Sequence, residues 1–501
     1  MPAYRSFQTN IGMPSGSVAK FYAPEAASRL RLPVLLYILT IMLPVQTSLG
    51  GVVLSGNRFL LLVLIIPLTV NLVMGRYGRL LVVDILFFLH VLWGIVALAV
   101  NNPDRLVLFM GSNSIEFIGG YVMGRAFIRN SEDFLALCKL FAGLAALTLP
   151  LALYEALTGN PVLIHTLASL PGMSSTSISA SAPRFGLERV QVFLSHPIHY
   201  GLFTGILLSI VFVGFRGLMS DAARYGLTVV ILVCTLLSLS SGPLLALVLQ
   251  CGLILWAWLF RGTQARWLIL LCVAVAAYVV VDFLSNRTPF RVFLHYATFN
   301  PHTAYWRLII FEWGMINVWD NPVFGLGLND WVRPVYMRSG SMDNFWLLMA
   351  VRYGIPGFLF LAAGYGLALW RVSRRNLDAS QTMWQLRRAW MISMVALTFT
   401  LTTVHVWGPL YSFVFFFFGA GMWLITAQPV DEEVTAAPET AGRTAAPMRR
   451  SALAAVMSAG HSAPGYSDPL PRTKEGLPYT RFPASGGAGH RQLVRPGRVD
   501  R

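Results

Sequence analysis

Charge is what this 501-residue sequence has least of: only 12% of it is Asp, Glu, Lys or Arg, about half the share carried by ordinary soluble domains. With 55% hydrophobic residues and a mean hydropathy of +0.61, a soluble globular protein is excluded and a polytopic membrane protein is indicated. Acidic residues are scarcer than basic ones, 22 against 38, which leaves a formal charge of +16. In a soluble chain that surplus would point to nucleic acid; in a bilayer protein it sets orientation, and no nucleic-acid partner is expected. The four cysteines, Cys138, Cys234, Cys251 and Cys272, lie in apolar runs without the spacing of a disulfide framework or metal site. Continuous apolar runs in place of alternation exclude a β-barrel porin. The first run follows about thirty polar residues and lacks a small-residue cleavage site, so it reads as a retained anchor. No His/Asp/Glu spacing makes a metal site, no nucleophilic triad is visible, and no internal repeat is obvious. Neither metal nor cofactor is expected.

The runs define the fold class: an all-α, polytopic transmembrane helix bundle of about twelve spans. The candidates are 32–49, 59–74, 80–100, 106–127, 134–157, 198–215, 225–239, 244–260, 267–284, 345–370, 389–406 and 410–426. Basic residues fall in every second connection: Arg76 and Arg79; Arg125, Arg129 and Lys139; Arg216 and Arg224; Arg261 and Arg266; Arg371, Arg374, Arg375, Arg387 and Arg388. Because Lys and Arg in short loops stay cytoplasmic, both termini are expected inside and the two long connections, 158–197 and 285–344, outside. This divides the chain into a cytoplasmic N-terminal segment 1–31, a transmembrane catalytic domain 32–427 and a tail 428–501, whose Ala, Pro, Gly, Ser and Arg composition reads as disordered and cytoplasmic.

The first long loop ends in two arginines, Arg184 and Arg189, a glutamate, Glu188, and two histidines, His196 and His199. A guanidinium binds phosphate through a fixed planar fork, so arginine at a headgroup boundary suits a diphosphate; the structural alternative is contact with lipid phosphates or loop carbonyls. The second loop carries Arg287, Arg291, His295, His302, Arg307, Glu312, Arg333, Arg338 and Asp343. Asn300 to Thr303 make a turn-and-cap signal before the apolar stretch 304–319, whose Trp306, Trp313 and Trp319 suggest a short interfacial helix. Arg307, about one turn inside its start, would meet an anion together with the positive helix end, or else pair with Glu312. Asp320 to Gly327 then read as a turn, the Gly-x-Gly as backbone punctuation. Asp343 or Asn344 would cap the tenth span, and a carboxylate there, facing arginines, suits a proton acceptor.

Ionisable residues inside spans are costly and tend to be functional. They are Asp84, Glu116, Glu155, Asp282, Arg352 and His405. Arg352 lies about 13 Å along the helix from Asp343, with Glu116 as a guessed partner. His90 and His405 read as satisfied hydrogen bonders between helices.

Arg307 followed by Trp313, then Pro322, Phe324, Gly325 and Gly327, then Asp343 and Asn344, then Tyr353, Gly354, Ile355 and Gly357 form an ordered series. It resembles the O-antigen ligase and bacterial polysaccharide polymerase family of integral membrane proteins, with Asp343-Asn344-Phe345-Trp346 closer to the exopolysaccharide polymerase branch. The resemblance implies transfer of a glycan from undecaprenyl diphosphate to a glycan acceptor hydroxyl at the periplasmic side of the bacterial inner membrane, without metal or nucleotide sugar. By it, Arg189 and Arg307 hold the diphosphate and Asp343 stands in the place of the catalytic base, with His196, His199, His295 and His302 as alternative proton acceptors; the loop residues Arg184, His196, His199, His302 and Asn344, with Arg352 below them, read as substrate-binding. Membrane lipid and other polysaccharide assembly proteins are the further partners. Two departures stand out: Asp343 replaces the family's usual histidine, and Ser240-Ser241-Gly242-Pro243 lacks the arginine that often follows a serine near the eighth span. The competing reading is a transporter or flippase of a lipid-linked oligosaccharide.

Overall fold

A backbone surrounded by hydrocarbon has to satisfy its own N–H and C=O groups, which makes the helix the local solution for each apolar run. The computed structural model describes residues 30–49, 52–171, 173–180, 182–286, 289, 292 and 301–428, apart from the side chains of 48, 49, 52, 53 and 301–304. The expected segment 1–31 falls almost wholly outside these, as do the tail beyond 428 and Arg287, Arg291, His295 and Asn300.

The elements run α1 (Leu32–Met42), β1 (Val45–Leu49), β2 (Val52–Ser55), α2 (Gly56–Val73), α3 (Val82–Asn101), α4 (Leu106–Ser114), α5 (Gly120–Phe127), α6 (Ser131–Thr158), α7 (Val162–Ala168), β3 (Ser174–Ser175), α8 (Pro197–Gly205), α9 (Asp221–Leu237), α10 (Ser241–Leu259) and α11 (Arg266–Leu284). After them come α12 (Pro301–Asp320), α13 (Phe345–Ser373), α14 (Gln381–Thr400), α15 (Gly408–Ala420) and α16 (Trp423–Thr426). Among the described residues nine helical segments are long and apolar enough to cross a membrane, so the chain is an all-α polytopic membrane protein.

The expected boundaries fail at two runs. The first, 32–49, is helical only to Met42; the chain then turns into β1, which pairs antiparallel with β2 (Gln46↔Ser55, Leu49↔Val52) and with β3 (Val45↔Ser175). Ser174 and Ser175 of β3 add side-chain bonds to Gln46 O and Pro44 O across this small sheet, where hydropathy alone reads a longer helix. The run 389–406 is displaced to Gln381–Thr400 because Ser380 caps the helix, accepting from the Met383 N–H at 3.4 Å. Capping thus begins the helix before the apolar run does.

Helix α15 is apolar on every side and is buried from Leu410 to Ala420, as expected for a helix enclosed by others. Its phenylalanines meet Tyr37, Phe117 and Phe141 edge-on or tilted. Gly120 and Gly124 on α5 let it approach so closely that a Cβ at either would strike backbone at Ser412 or Phe416, the small-residue device of membrane helix pairs.

The segment that positions the outer loops is α13, which is broken at Gly354 (φ 72°, ψ 178°) ahead of Pro356. The break frees backbone groups, and the 322–327 turn supplies their partners. Leu326 N–H donates to Val351 O at 2.7 Å, Gly327 N–H to Arg352 O at 3.0 Å, and Ile355 N–H to Pro322 O at 2.7 Å. A Cβ on Gly325 (φ 64°) would sit 2.5 Å from Val351 O. The Gly-x-Gly is therefore backbone punctuation, as its sequence suggests. Gly354→Ala is expected to destabilise the protein by about 2 kcal/mol or more, since only glycine tolerates that backbone conformation; a thermal melt in detergent indistinguishable from wild type would contradict this account.

Candidate functional site

The loop before α8 is held by a buried carboxylate. Glu155, near the end of α6, accepts the Gln191 N–H at 2.8 Å and the Val192 N–H at 2.9 Å. Val192 is thereby fixed in left-handed backbone (φ 50°). The Gln191 amide bonds Ser179 N–H, Ser177 O and Leu194 O, locking the loop on both sides of the turn. Glu155 is thus a structural anchor whose effect is to place Arg189.

Three guanidiniums converge on the turn that starts α10. Arg184 donates to Leu239 O at 2.7 Å, Arg189 to Ser240 Oγ at 2.8 Å, and Arg307 to Ser241 Oγ at 3.2 Å. Leu239 itself is left-handed (φ 45°), so the turn is sharp and its two serines are presented side by side. The Nε groups of Arg189 and Arg307 are buried without a hydrogen-bond partner. Burial, with Arg184 as second cause, pushes Arg189 down to about 10. Burial likewise lowers Arg307 to about 10, against the pull of Asp343 and with a smaller push from Arg184. Both stay charged near neutrality, so the site gathers positive charge with spare donors, the complement of a diphosphate.

Arg307 and Asp343 line one cavity of about 430 Å³ with Trp306, Tyr336 and Ser341. Asp343 is exposed and accepts from Ser341 Oγ at 2.8 Å. The N-cap of α13 is Asn344, whose Oδ1 accepts the Leu347 N–H at 3.0 Å, so Asp343 is released from that duty. Two asparagine clamps fix the loop. Asn317 bonds Val332 in both directions, and Asn102 accepts from Leu328 N–H and donates to Asn329.

His196 caps α8 through Nδ1, which accepts the Ile198 N–H at 3.1 Å. Burial, then Arg189, lowers it to about 4, opposed by Asp343. His196, His199 and His405 surround Trp407, at ring distances of 5.8, 4.0 and 5.8 Å. His199 Nε2 and His405 Nδ1 are buried without partners. His405 is held down to about 3 by burial and by Arg352.

A larger cavity of about 520 Å³ adjoins Trp407 and is lined by Arg58, Glu116, Arg352, Ser195 and His405 among others. Here the sequence-based pairing is corrected: Glu116 bonds Arg58 at 2.7 Å, while Arg352 lies 5.0 Å over the Phe109 ring. His405, expected to be satisfied between helices, is unsatisfied and faces this cavity; His90 does find Gly357 O, at 2.7 Å. The helix carrying Arg307 begins at Pro301, so Arg307 sits nearly two turns in, too far to share an anion with the helix end, and its bond is to Ser241. The side chain of His302 lies outside the described residues. Asp84 accepts from Tyr121 and the Leu81 N–H and serves the fold; Asp282 is exposed.

The structure therefore brings together Arg184, Arg189, Arg307, His196 and Asp343, with His199 behind Trp407 and Arg352 in the neighbouring cavity. Sequence reasoning missed Arg58 and Trp407, and saw Ser240-Ser241 only as a departure. The doubled serine before a glycine-proline helix start was the available signal.

Residues 226–362 match the family described as O-antigen ligase. The matched segment contains the serine turn, Arg307, Asp343, Arg352 and the break in α13 at Gly354, whereas Arg184, Arg189 and His196 precede it. The match supports an O-antigen ligase-like or polymerase-like function in general, of glycosyltransferase type. No curated protein matches the chain.

Because His196 and His405 titrate below an unfolded histidine, the unfolded chain binds more protons between about pH 6.5 and 4. Stability is then full above pH 6.5 and falls as the pH drops through that window. His196→Asn should flatten the acid side of a melting-temperature profile; an unchanged slope would show that His196 is not in the buried, cationic setting described.

Proposed function

We propose that the protein transfers a glycan from undecaprenyl diphosphate to a sugar hydroxyl, as a polysaccharide polymerase or O-antigen ligase-like enzyme. The observation that carries this reading is the convergence of Arg184, Arg189 and Arg307 on the Ser240-Ser241 turn, in the same electrostatic neighbourhood as Asp343 and His196. In the family resemblance an arginine often follows the serine of that turn; here Arg184 brings its guanidinium to Leu239 from the preceding loop, which answers the departure.

The reaction is a single inverting displacement without metal. The acceptor oxygen attacks the anomeric carbon, the bond from that carbon to the diphosphate oxygen breaks, and the hydroxyl proton passes to Asp343. Arg189 and Arg307 meet the charge that grows on the departing diphosphate, each through donors left over after its serine bond. Asp343 lines the same cavity as Arg307, so its carboxylate stays near the reacting oxygen. His196, neutral at pH 7, is a hydrogen-bond partner to the sugar. The distribution of arginines supports an inner-membrane protein with cytoplasmic termini and this site on the periplasmic face, and the Asp343-Asn344-Phe345-Trp346 series supports the exopolysaccharide branch.

In vesicles supplied with one undecaprenyl diphosphate oligosaccharide, the wild type should build a glycan ladder. Arg307→Ala and Arg189→Ala should each lower the rate by about 10²–10³-fold, the usual cost of removing a charge-stabilising donor, and Asp343→Asn comparably. Arg307→Ala with wild-type turnover would overturn the assignment, and movement of intact substrate across the bilayer without lengthening would replace the enzyme by a transporter.

A further inference from the structure

The cavity of about 520 Å³ has no task in holding the diphosphate, and its lining is expensive for a position among membrane helices. Arg58, Asn113, Glu116 and Arg352 all contribute to its wall from within or beside candidate spans, where polar side chains are retained for function. The charges do not cancel. Glu116 is engaged by Arg58, and among the described residues no carboxylate pairs with Arg352. One guanidinium is left over in a cavity of a size that fits a small ligand.

The remaining walls suit a sugar. Phe109, Trp407 and Tyr411 contribute aromatic surface to the wall, and Ser195 and Asn113 contribute hydrogen-bonding groups suited to hydroxyls. The unpartnered Nδ1 of His405 adds a buried group awaiting a polar atom, which an empty apolar pocket would not have. Arg352 is held in place from behind, since its carbonyl accepts from Gly327 at the break in α13. The cavity also borders the loop that presents Arg189: Ser195 in its wall precedes His196, and His196 and His199 both pack on Trp407, another of its lining residues.

We propose that this cavity seats the sugar at the accepting end of the glycan, and that Arg352 recognises a carboxylate on that sugar. The acceptor half of the statement rests on the reading of the arginine cluster as the donor site. A uronic acid presents a planar carboxylate to the planar fork of Arg352, its ring lies against the aromatic wall, and its free hydroxyls point past Trp407 toward the departing diphosphate.

The test uses the full-length protein in nanodiscs and two versions of one trisaccharide, ending in glucuronic acid or, after carboxyl reduction, in glucose. Calorimetric titration of the wild type should show the acidic form binding at least about tenfold tighter. Arg352→Gln should erase the preference and Arg352→Lys should retain part of it, with melting curves checking that each variant is folded; if Arg352→Gln fails to fold, the lysine variant decides by whether its preference falls. Equal binding of the two sugars to the wild type, binding of neither, or a preference that survives Arg352→Gln would overturn the proposal. Arg307→Ala should lose transfer from undecaprenyl diphosphate oligosaccharide and keep the preference for the acidic sugar. A wild type that binds the acidic sugar but turns over no donor would refute the donor site and leave the carboxylate site standing.

Discussion

Backbone groups freed inside a membrane helix have to find partners, and the arrangement of this protein's outer loops follows from how that demand is met. The break at Gly354 leaves carbonyls at Val351 and Arg352 and an N–H at Ile355, and the 322–327 turn binds all three. Arg307 lies upstream of the turn and Asp343 downstream. Docking the turn on the helix therefore fixes the loop at its middle, and the asparagine clamps at Asn102 and Asn317 hold the strand of chain that follows. Gly325 and Gly354 lie far apart in sequence yet serve one contact, in which two backbones lie closer than any Cβ would permit.

A second loop is fixed by other means and delivered to the same place. Glu155 takes two backbone N–H groups of the 189–193 segment, and β3 ties the start of that loop to the hairpin after α1. These anchors are complete in themselves, each polar group having its partner. The arginines they present are not. Arg189 and Arg307 each give one bond to a serine hydroxyl and keep a buried N–H unspent. A neutral hydroxyl orients a guanidinium without neutralising it, which is why serine in this turn suits a site for an anion better than a carboxylate would.

The fold class was legible because hydropathy and the distribution of arginines are properties of the chain that survive any detail of packing. Element limits were less so: the end of α1 and the start of α14 are set by strand pairing and a serine cap, both local effects that a hydropathy window averages away. Within the site, Arg189, Arg307, His196 and Asp343 stood out because charge at a membrane boundary is conspicuous. Asn344 and Asp343 were indistinguishable as caps until the hydrogen bond to Leu347 was seen. The partner of Glu116 and the place of His405 in a cavity wall depend on contacts between residues more than fifty positions apart, and no spacing rule in one sequence carries that information. Trp407 went unnoticed for the same reason, since its importance lies wholly in the three histidines around it.

Helix α11 differs from its neighbours in that none of its 19 residues is buried. Hydrocarbon solvates leucine and valine as well as a protein interior does, so such a helix loses little by being bathed in lipid. Its length, about 28 Å at 1.5 Å per residue, is close to the hydrocarbon thickness of a bilayer. Its tilt is then governed by the thickness of the surrounding membrane and not by side-chain packing. Bilayer thickness is therefore a constraint that α11 meets directly, whereas the enclosed α15 meets only protein.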